Sequence, residues 1–221
     1  MSIVESSRRI HRGGSNEGNL SIRGQKDRMG FLKKVVFLDR DGTINRDSAD
    51  YIKSRAEFDF LPGSVEAIRN LTANGFTSIV ITNQSALARK FISSAELDAM
   101  HAMMCRTVAS GGGKISDIFC CPHMPDEGCE CRKPAPGLIH QARQKYNIEI
   151  ADSIMVGDSA KDIACGRNAG CGKTVLVKSG LDPDVAKKLN KKQISADFVA
   201  GNLLKAAEWI ITSITLVIFQ F

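Results

Sequence analysis

No apolar run opens this chain, so nothing at its start resembles a secretory signal. No repeat recurs along it, which sets aside solenoid and propeller architectures. Net charge is also missing from most of its length. The 221 residues carry a formal net charge of +6. Residues 1–34 hold eight Lys/Arg and three Asp/Glu, so 8 − 3 = +5 lies there and the remainder is nearly neutral. A basic nucleic-acid-binding face is therefore not expected. An even cysteine set is lacking too. There are seven cysteines, four of them crowded at 120–131, which fits metal binding in a reducing compartment better than a disulfide framework. A cytoplasmic protein is expected.

What is present suits one domain: 43% of residues are hydrophobic, enough for a proper core. Val35–Leu38 is a buried-strand run that breaks at once into Asp39-Arg40-Asp41-Gly42-Thr43-Ile44-Asn45. In open α/β sheets ligands sit beyond the carboxyl ends of strands. Two aspartates one residue apart suit a divalent cation with oxygen ligands, or a division between nucleophile and general acid/base. Standing alone, the same pair also reads as an Asx-turn or a helix cap.

Later segments repeat the pattern of apolar run and polar end. Thr77–Ile81 is a second strand, running into Thr82-Asn83-Gln84-Ser85, and a hydroxyl there can bond a phosphate oxygen. Ile115–Cys120 gives a third, Ser153–Asp158 a fourth ending in Gly-Asp, and Lys173–Lys178 a fifth, with Ala196–Val199 as an edge segment. Helices fall between them: one with Val65, Ile68 and Leu71 on a face, one over Ser94–Ser110 capped at Ser94, one begun at Pro136, one through Ala164–Ala169, a short one at Pro183–Asn190, and a last over Asn202–Ile211. Alternating strands and helices imply an α/β fold with a parallel sheet covered on both faces. Residues 46–60 form a loop over the first strand end, with Asp47 and Tyr51 as candidate substrate contacts.

Cys121, His123, Cys129 and Cys131 form C-x-H-x5-C-x-C. Three thiolates and an imidazole make a closed tetrahedral zinc set, structural rather than catalytic, which would fold a loop with little core of its own. Arg132-Lys133-Pro134 follows directly.

D-x-D-G-T after an apolar strand, Thr82, Lys133 and Gly157-Asp158-x-x-x-Asp162 together resemble the four motifs of the haloacid dehalogenase (HAD) superfamily. The resemblance spans about 34–202. FLDRDGTIN and the zinc loop resemble its branch of heptose-bisphosphate and histidinol-phosphate phosphatases. The resemblance implies a HAD-like Rossmannoid three-layer sandwich without a large cap domain, and a Mg2+-dependent phosphomonoesterase. It makes Asp39 the nucleophile, Asp41 the general acid/base, and Thr82 and Lys133 the stabilisers of phosphate charge. Asp39, Asp41 (through its carbonyl) and Asp158 would hold Mg2+. Asp162 is left between a supporting carboxylate and a helix-start residue. Asp47, Tyr51, Asn83, Gln84, Ser85 and Arg132 would contact a small phosphorylated sugar, Arg132 through a second phosphate. The substrate implied is D-glycero-D-manno-heptose 1,7-bisphosphate, losing its 7-phosphate in heptose-nucleotide precursor synthesis, with histidinol phosphate as the alternative. Of another class is a non-catalytic zinc-loop interaction module.

The expected organisation is a disordered basic extension at 1–33, one domain over 34–208, and an apolar tail at 209–221 that is too short to span a bilayer. Met29 offers an alternative start. A monomer without a nucleic-acid partner is expected.

Overall fold

Short apolar runs become the strands of the structure, a computed structural model that describes residues 30–31, 34–191 and 194–218. The strands are β1 (Val35–Leu38), β2 (Thr77–Asn83), β3 (Ile115–Cys121), β4 (Ile154–Gly157), β5 (Lys173–Val177) and β6 (Phe198–Ala200). Six helices connect or flank them: α1 (Ser64–Ala73), α2 (Ser94–Ser110), α3 (Gly137–Tyr146), α4 (Ala160–Ala169), α5 (Val185–Lys191) and α6 (Leu203–Ile218). All strand pairings are parallel and the order is β3-β2-β1-β4-β5-β6.

The two-residue period of a strand sorts the core into layers. Val36 and Leu38 of β1 point to the face covered by α1, α2 and α6, against Ile68, Leu71, Met100, Met104 and Ala206. Val35 and Phe37 point the other way, against Leu138, Ile139 and Ala142 of α3. Helices α4 and α5 extend that second face through Ile163, Val185 and Leu189. The result is the expected three-layer sandwich. Chain progression reverses between β1 and β4, and the crevice beyond their carboxyl ends is where such sheets bind ligands.

Three local expectations shift. The cap of α2 is Ser93, whose Oγ accepts from the Glu96 N–H at 3.1 Å. Ser94 is the first helical residue instead, since its neighbour already holds the extended backbone a cap requires. The last helix does not stop at Ile211 but runs to Ile218, so the expected boundary at 208 falls inside it. Trp209 within it stacks on Phe198, with ring centroids 4.7 Å apart. The extension at 1–33 lies, but for residues 30 and 31, outside the described residues, as do 219–221 of the tail.

Candidate active site

The β1 end sets the site. Asp39 follows the last strand residue, and its N–H still bonds the Val156 carbonyl of β4 at 2.9 Å. The chain then turns back: the Arg40 carbonyl accepts from Ile44 N at 2.8 Å and Asn45 N at 3.1 Å. Gly42 takes φ +75° in that turn, a conformation a side chain would strain.

Three buried or half-buried carboxylates, Asp39, Asp158 and Asp162, bring oxygens within 4.8 Å of one another. Lys133 Nζ lies 2.7 Å from Asp39 Oδ1 and 2.6 Å from Asp162 Oδ1. Burial first, and Asp162 next, push Asp39 well above the usual carboxylate range against the pull of Lys133. The same two causes push Asp158 up to about 8. Burial works to lower Lys133, but Asp162 and Asp39 outweigh it and the ammonium is held charged. Three carboxylates against one lysine leave about two negative charges to be compensated. Hard oxygen donors gathered with that charge fit a Mg2+ ion.

Asp162 also opens α4, accepting from Ser159 N at 2.9 Å and Ser159 Oγ at 2.6 Å. The two readings of Asp162 thus coincide: one oxygen caps the helix and the other anchors the lysine.

Asp41 turns elsewhere. Its Oδ1 receives Arg40 Nε at 3.0 Å, Arg40 Nη2 at 2.9 Å and Asn45 Nδ2 at 2.8 Å. Its Oδ2 receives Arg40 Nη2 at 2.9 Å and Gln84 Nε2 at 2.7 Å. Burial raises its pKa, but Arg40 and these donors prevail and keep it below the usual range. Asp41 therefore joins no carboxylate cluster through its side chain, which leaves its backbone carbonyl as the expected metal contact.

Thr82, at 1% exposure, closes the β2 end. Its Oγ1 accepts from Gln84 Nε2 at 2.9 Å, leaving the hydroxyl proton for an anion. Two expected substrate contacts are engaged internally. Asn83 clamps the Lys133 backbone, donating to its carbonyl at 3.2 Å and accepting its N–H at 3.1 Å. Gln84 bridges Thr82 to Asp41. Ser85 is buried behind them. Asp47 sits half-buried at the mouth, raised by burial and by nearby Asp41. Tyr51 instead packs edge-on to Phe91 at 5.5 Å, beneath the Arg89 guanidinium at 5.8 Å.

The zinc-type loop lies between β3 and α3. Cys121 Sγ is 3.6 Å from His123 Nδ1, 3.6 Å from Cys129 Sγ and 3.2 Å from Cys131 Sγ. Cys131 Sγ is 3.2 Å from His123 Nδ1 and 3.5 Å from Cys129 Sγ. Zinc with ligand bonds near 2.3 Å needs tetrahedral edges of about 3.8 Å, so the set fits with small outward shifts. The bond from Cys131 is the main cause bringing the Cys121 thiol down to about 5, toward the thiolate that ligates metals. Arg132 Nη1 donates to the carbonyl of His123 at 3.1 Å, tying the arginine to this loop.

Four groups escaped the reading of the sequence: Arg40, Asn45, His101 and Gly180. Arg40 sat in plain view between the two aspartates. His101 interrupts the Leu97–Met100–Met104–Val108 stripe of α2, where a lone histidine reads as core. Gly180 leaves no mark in the pattern, yet a methyl group on it would overlap the Asp158 carboxylate.

A doubly wound sheet, with paired aspartates at the β1 end, a threonine at β2, a lysine bridging to α4 and an aspartate at β4, defines a HAD-type phosphohydrolase. A family model described as HAD-hydrolase-like matches residues 130–206. The D-glycero-beta-D-manno-heptose-1,7-bisphosphate 7-phosphatase of Bordetella bronchiseptica is 42% identical over 157 residues, covering 67% of this chain and 88% of that protein. Its namesake from Pseudomonas aeruginosa is 45% identical over 148 residues, covering 67% and 83%. A crystal structure of D,D-heptose 1,7-bisphosphate phosphatase from B. bronchiseptica, complexed with magnesium and phosphate, superposes with a TM-score of 0.75 at 39% identity, covering 81% of this chain and 99% of that one. The chain belongs to the heptose-1,7-bisphosphate 7-phosphatase family of HAD-like hydrolases.

Proposed function

We propose that this enzyme removes the 7-phosphate of D-glycero-β-D-manno-heptose 1,7-bisphosphate, in the synthesis of heptose-nucleotide precursors. The observation that carries the chemistry is the Lys133 bridge between Asp39 and Asp162 at the β1–β4 crevice. The substrate reading is supported by the names of the two relatives above, both of which carry the β anomer; a relative from Photorhabdus laumondii, 39% identical, carries the α.

Asp39 Oδ attacks phosphorus in line, the bond from phosphorus to the sugar oxygen breaks, and Asp41 hands that oxygen a proton. Water then attacks the aspartyl-phosphate at phosphorus, gives its proton to Asp41, and releases phosphate and free Asp39. At rest the five donor contacts hold Asp41 ionised, the form that takes the proton from water; the proton it hands to the sugar oxygen is taken up as the anionic substrate phosphate arrives and offsets the charge of Arg40. Thr82 Oγ1–H and Lys133 Nζ face the non-bridging oxygens, where charge concentrates in the transition state. Asn83 fixes Lys133 through its backbone. Asp39, Asp158 and the Asp41 carbonyl would hold Mg2+, with Asp162 behind. When bound, that ion neutralises the repulsion between nucleophile and phosphate.

Arg132 receives the second phosphate, held by the loop that Cys121, His123, Cys129 and Cys131 close around structural Zn2+. Asp47 faces the sugar. Three thiols used as ligands suit a reducing cytoplasm. Among the described residues no helix is long and apolar enough to cross a membrane.

Mg2+-dependent phosphate release from the α and β bisphosphates, beside histidinol phosphate, tests the reading. A higher kcat/KM on the β anomer is expected. Preference for histidinol phosphate would overturn the substrate and remove the second-phosphate role of Arg132.

A further inference from the structure

Arg40 is the largest fully buried side chain among the described residues, at 0% exposure. A buried guanidinium needs acceptors for its N–H groups and something to fix its plane. Both are here. Its Nε and Nη2 edge forks onto Asp41 at 2.9–3.0 Å. Its face lies over the Phe58 ring, 5.8 Å from the centroid. Its far edge, Nη1, meets His101 Nε2 at 3.2 Å. His101 comes from the middle of α2, 61 residues away in the chain. Burial, then Arg40, drive its pKa down to about 3, so the ring is neutral and Nε2 offers a lone pair.

The geometry points to His101 as a positioning residue for the general acid/base, acting through Arg40. Asp41 precedes Gly42 in a tight turn, and its backbone alone leaves the carboxylate several rotamers. The Arg40 fork, with Asn45 and Gln84 on the same carboxylate, chooses one, because a guanidinium presents its donors in a rigid plane. That plane is itself chosen by His101 at one edge and Phe58 on one face. Remove the His101 acceptor and the buried Nη1 loses that partner, so the fork turns to find another and carries Asp41 with it. The same helix holds the loop over the site, since Glu96 Oε1 accepts from Arg55 N and Nε, each at 3.2 Å. Helix α2 thus ties the loop and the acid/base to one rigid element.

The inference rests on the catalytic reading of Asp41, and the leaving group separates it from a plain loss of structure. A sugar oxygen departs poorly without a proton. A 4-nitrophenolate departs without help, so its first-turnover burst does not depend on where Asp41 lies. His101→Leu is expected to slow single-turnover cleavage of the sugar phosphate about tenfold with KM within about twofold, while the 4-nitrophenolate burst changes less than about twofold. His101→Gln, whose amide oxygen can accept from Arg40, should recover most of the loss. Arg40→Lys, which keeps the charge but not the fork, should share the leucine signature. Equal slowing of both leaving groups would overturn the proposal, as would no slowing of either, or a glutamine variant no better than leucine. Wild-type turnover of the two substrates reports on the catalytic reading by itself: a wild-type enzyme inert toward both would defeat that reading first.

Discussion

Two ligand sets sit side by side in this molecule, and they are built in opposite ways. The sulfur set comes from eleven consecutive positions, Cys121 to Cys131, between the end of β3 and the start of α3. Much of that stretch is exposed, and after Cys121, the last residue of β3, no helix or strand lies within it. The oxygen set comes from Asp39 and, more than a hundred residues later, Asp158 and Asp162, brought together by β1, β4 and α4. The sheet positions the carboxylates whether or not a cation is there. The loop has almost no core, so its shape depends on what its four donors share. One site is made by the fold, and the other makes a piece of the fold. The two meet at Lys133, which follows the last sulfur ligand by two residues and ends on Asp39.

The sharpest test of this contrast is Asp39→Asn. It removes the proposed nucleophile from a scaffold that does not need it. Turnover should fall by at least ~10³-fold, while circular dichroism and melting temperature hold or improve, because one of the crowded buried carboxylates has lost its charge. A melting temperature well below wild type would mean that the carboxylates do help build the fold.

Cys131→Ser attacks the other side. Bound zinc per chain should drop toward zero, and kcat/KM should fall about 10- to 100-fold, although no catalytic atom has been touched. The loss travels through Arg132 and Lys133, whose backbone leaves the loop at that point. Asn83 still clamps Lys133, which is why the loss should be smaller than that of Asp39→Asn. Zinc analysis beside steady-state kinetics checks it. Full activity without zinc would detach the loop from the site.

Gly180→Ala is milder again. Gly180 follows β5, and a methyl group there pushes on the Asp158 carboxylate. Mg2+ affinity should weaken about tenfold, read as a shift in the Mg2+ concentration giving half-maximal rate, with the zinc content unchanged. A shift in zinc content would show that the two sites are not independent.

This contrast also explains what could be read from the chain before it was folded. The strands were legible because four apolar residues in a row, with a polar break after them, have few other uses. The clustering of Cys121, His123, Cys129 and Cys131 was legible because these residues are local and their spacing brings them together. Asp39, Asp41 and Asp158 were legible as strand-end groups through the motifs that contain them. Contacts between distant elements were not. Nothing in α2 announces that His101 will meet Arg40, and a lone histidine on an apolar stripe passes for core. Asn83 and Gln84 were read as facing a ligand, yet their amides hold Lys133, Thr82 and Asp41. A side-chain amide serves a substrate or a backbone with the same atoms, and only three-dimensional neighbours decide between them.

The smallest expected effect is one of pH, and it belongs to the oxygen set alone. Asp158 is pushed up to about 8 in the folded chain, by burial and by Asp162, and Asp39 is raised as well. Unfolded, such groups titrate near ~4. A folded pKa above the unfolded one favours folding while the group is protonated, so that contribution is fully present below pH ~4 and lost as pH climbs through about 8. The magnesium-free enzyme should therefore melt a few degrees lower at pH 8.5 than at pH 6. Added Mg2+ replaces the proton as the partner of these carboxylates, so the rise in melting temperature it produces should be larger at pH 8.5 than at pH 6. Thermal melts at both pH values, with and without Mg2+, measure the difference. Asp158→Asn should flatten it and Cys131→Ser should leave it in place. A Mg2+ effect of equal size at both pH values would mean that the carboxylates are already ionised at pH 6.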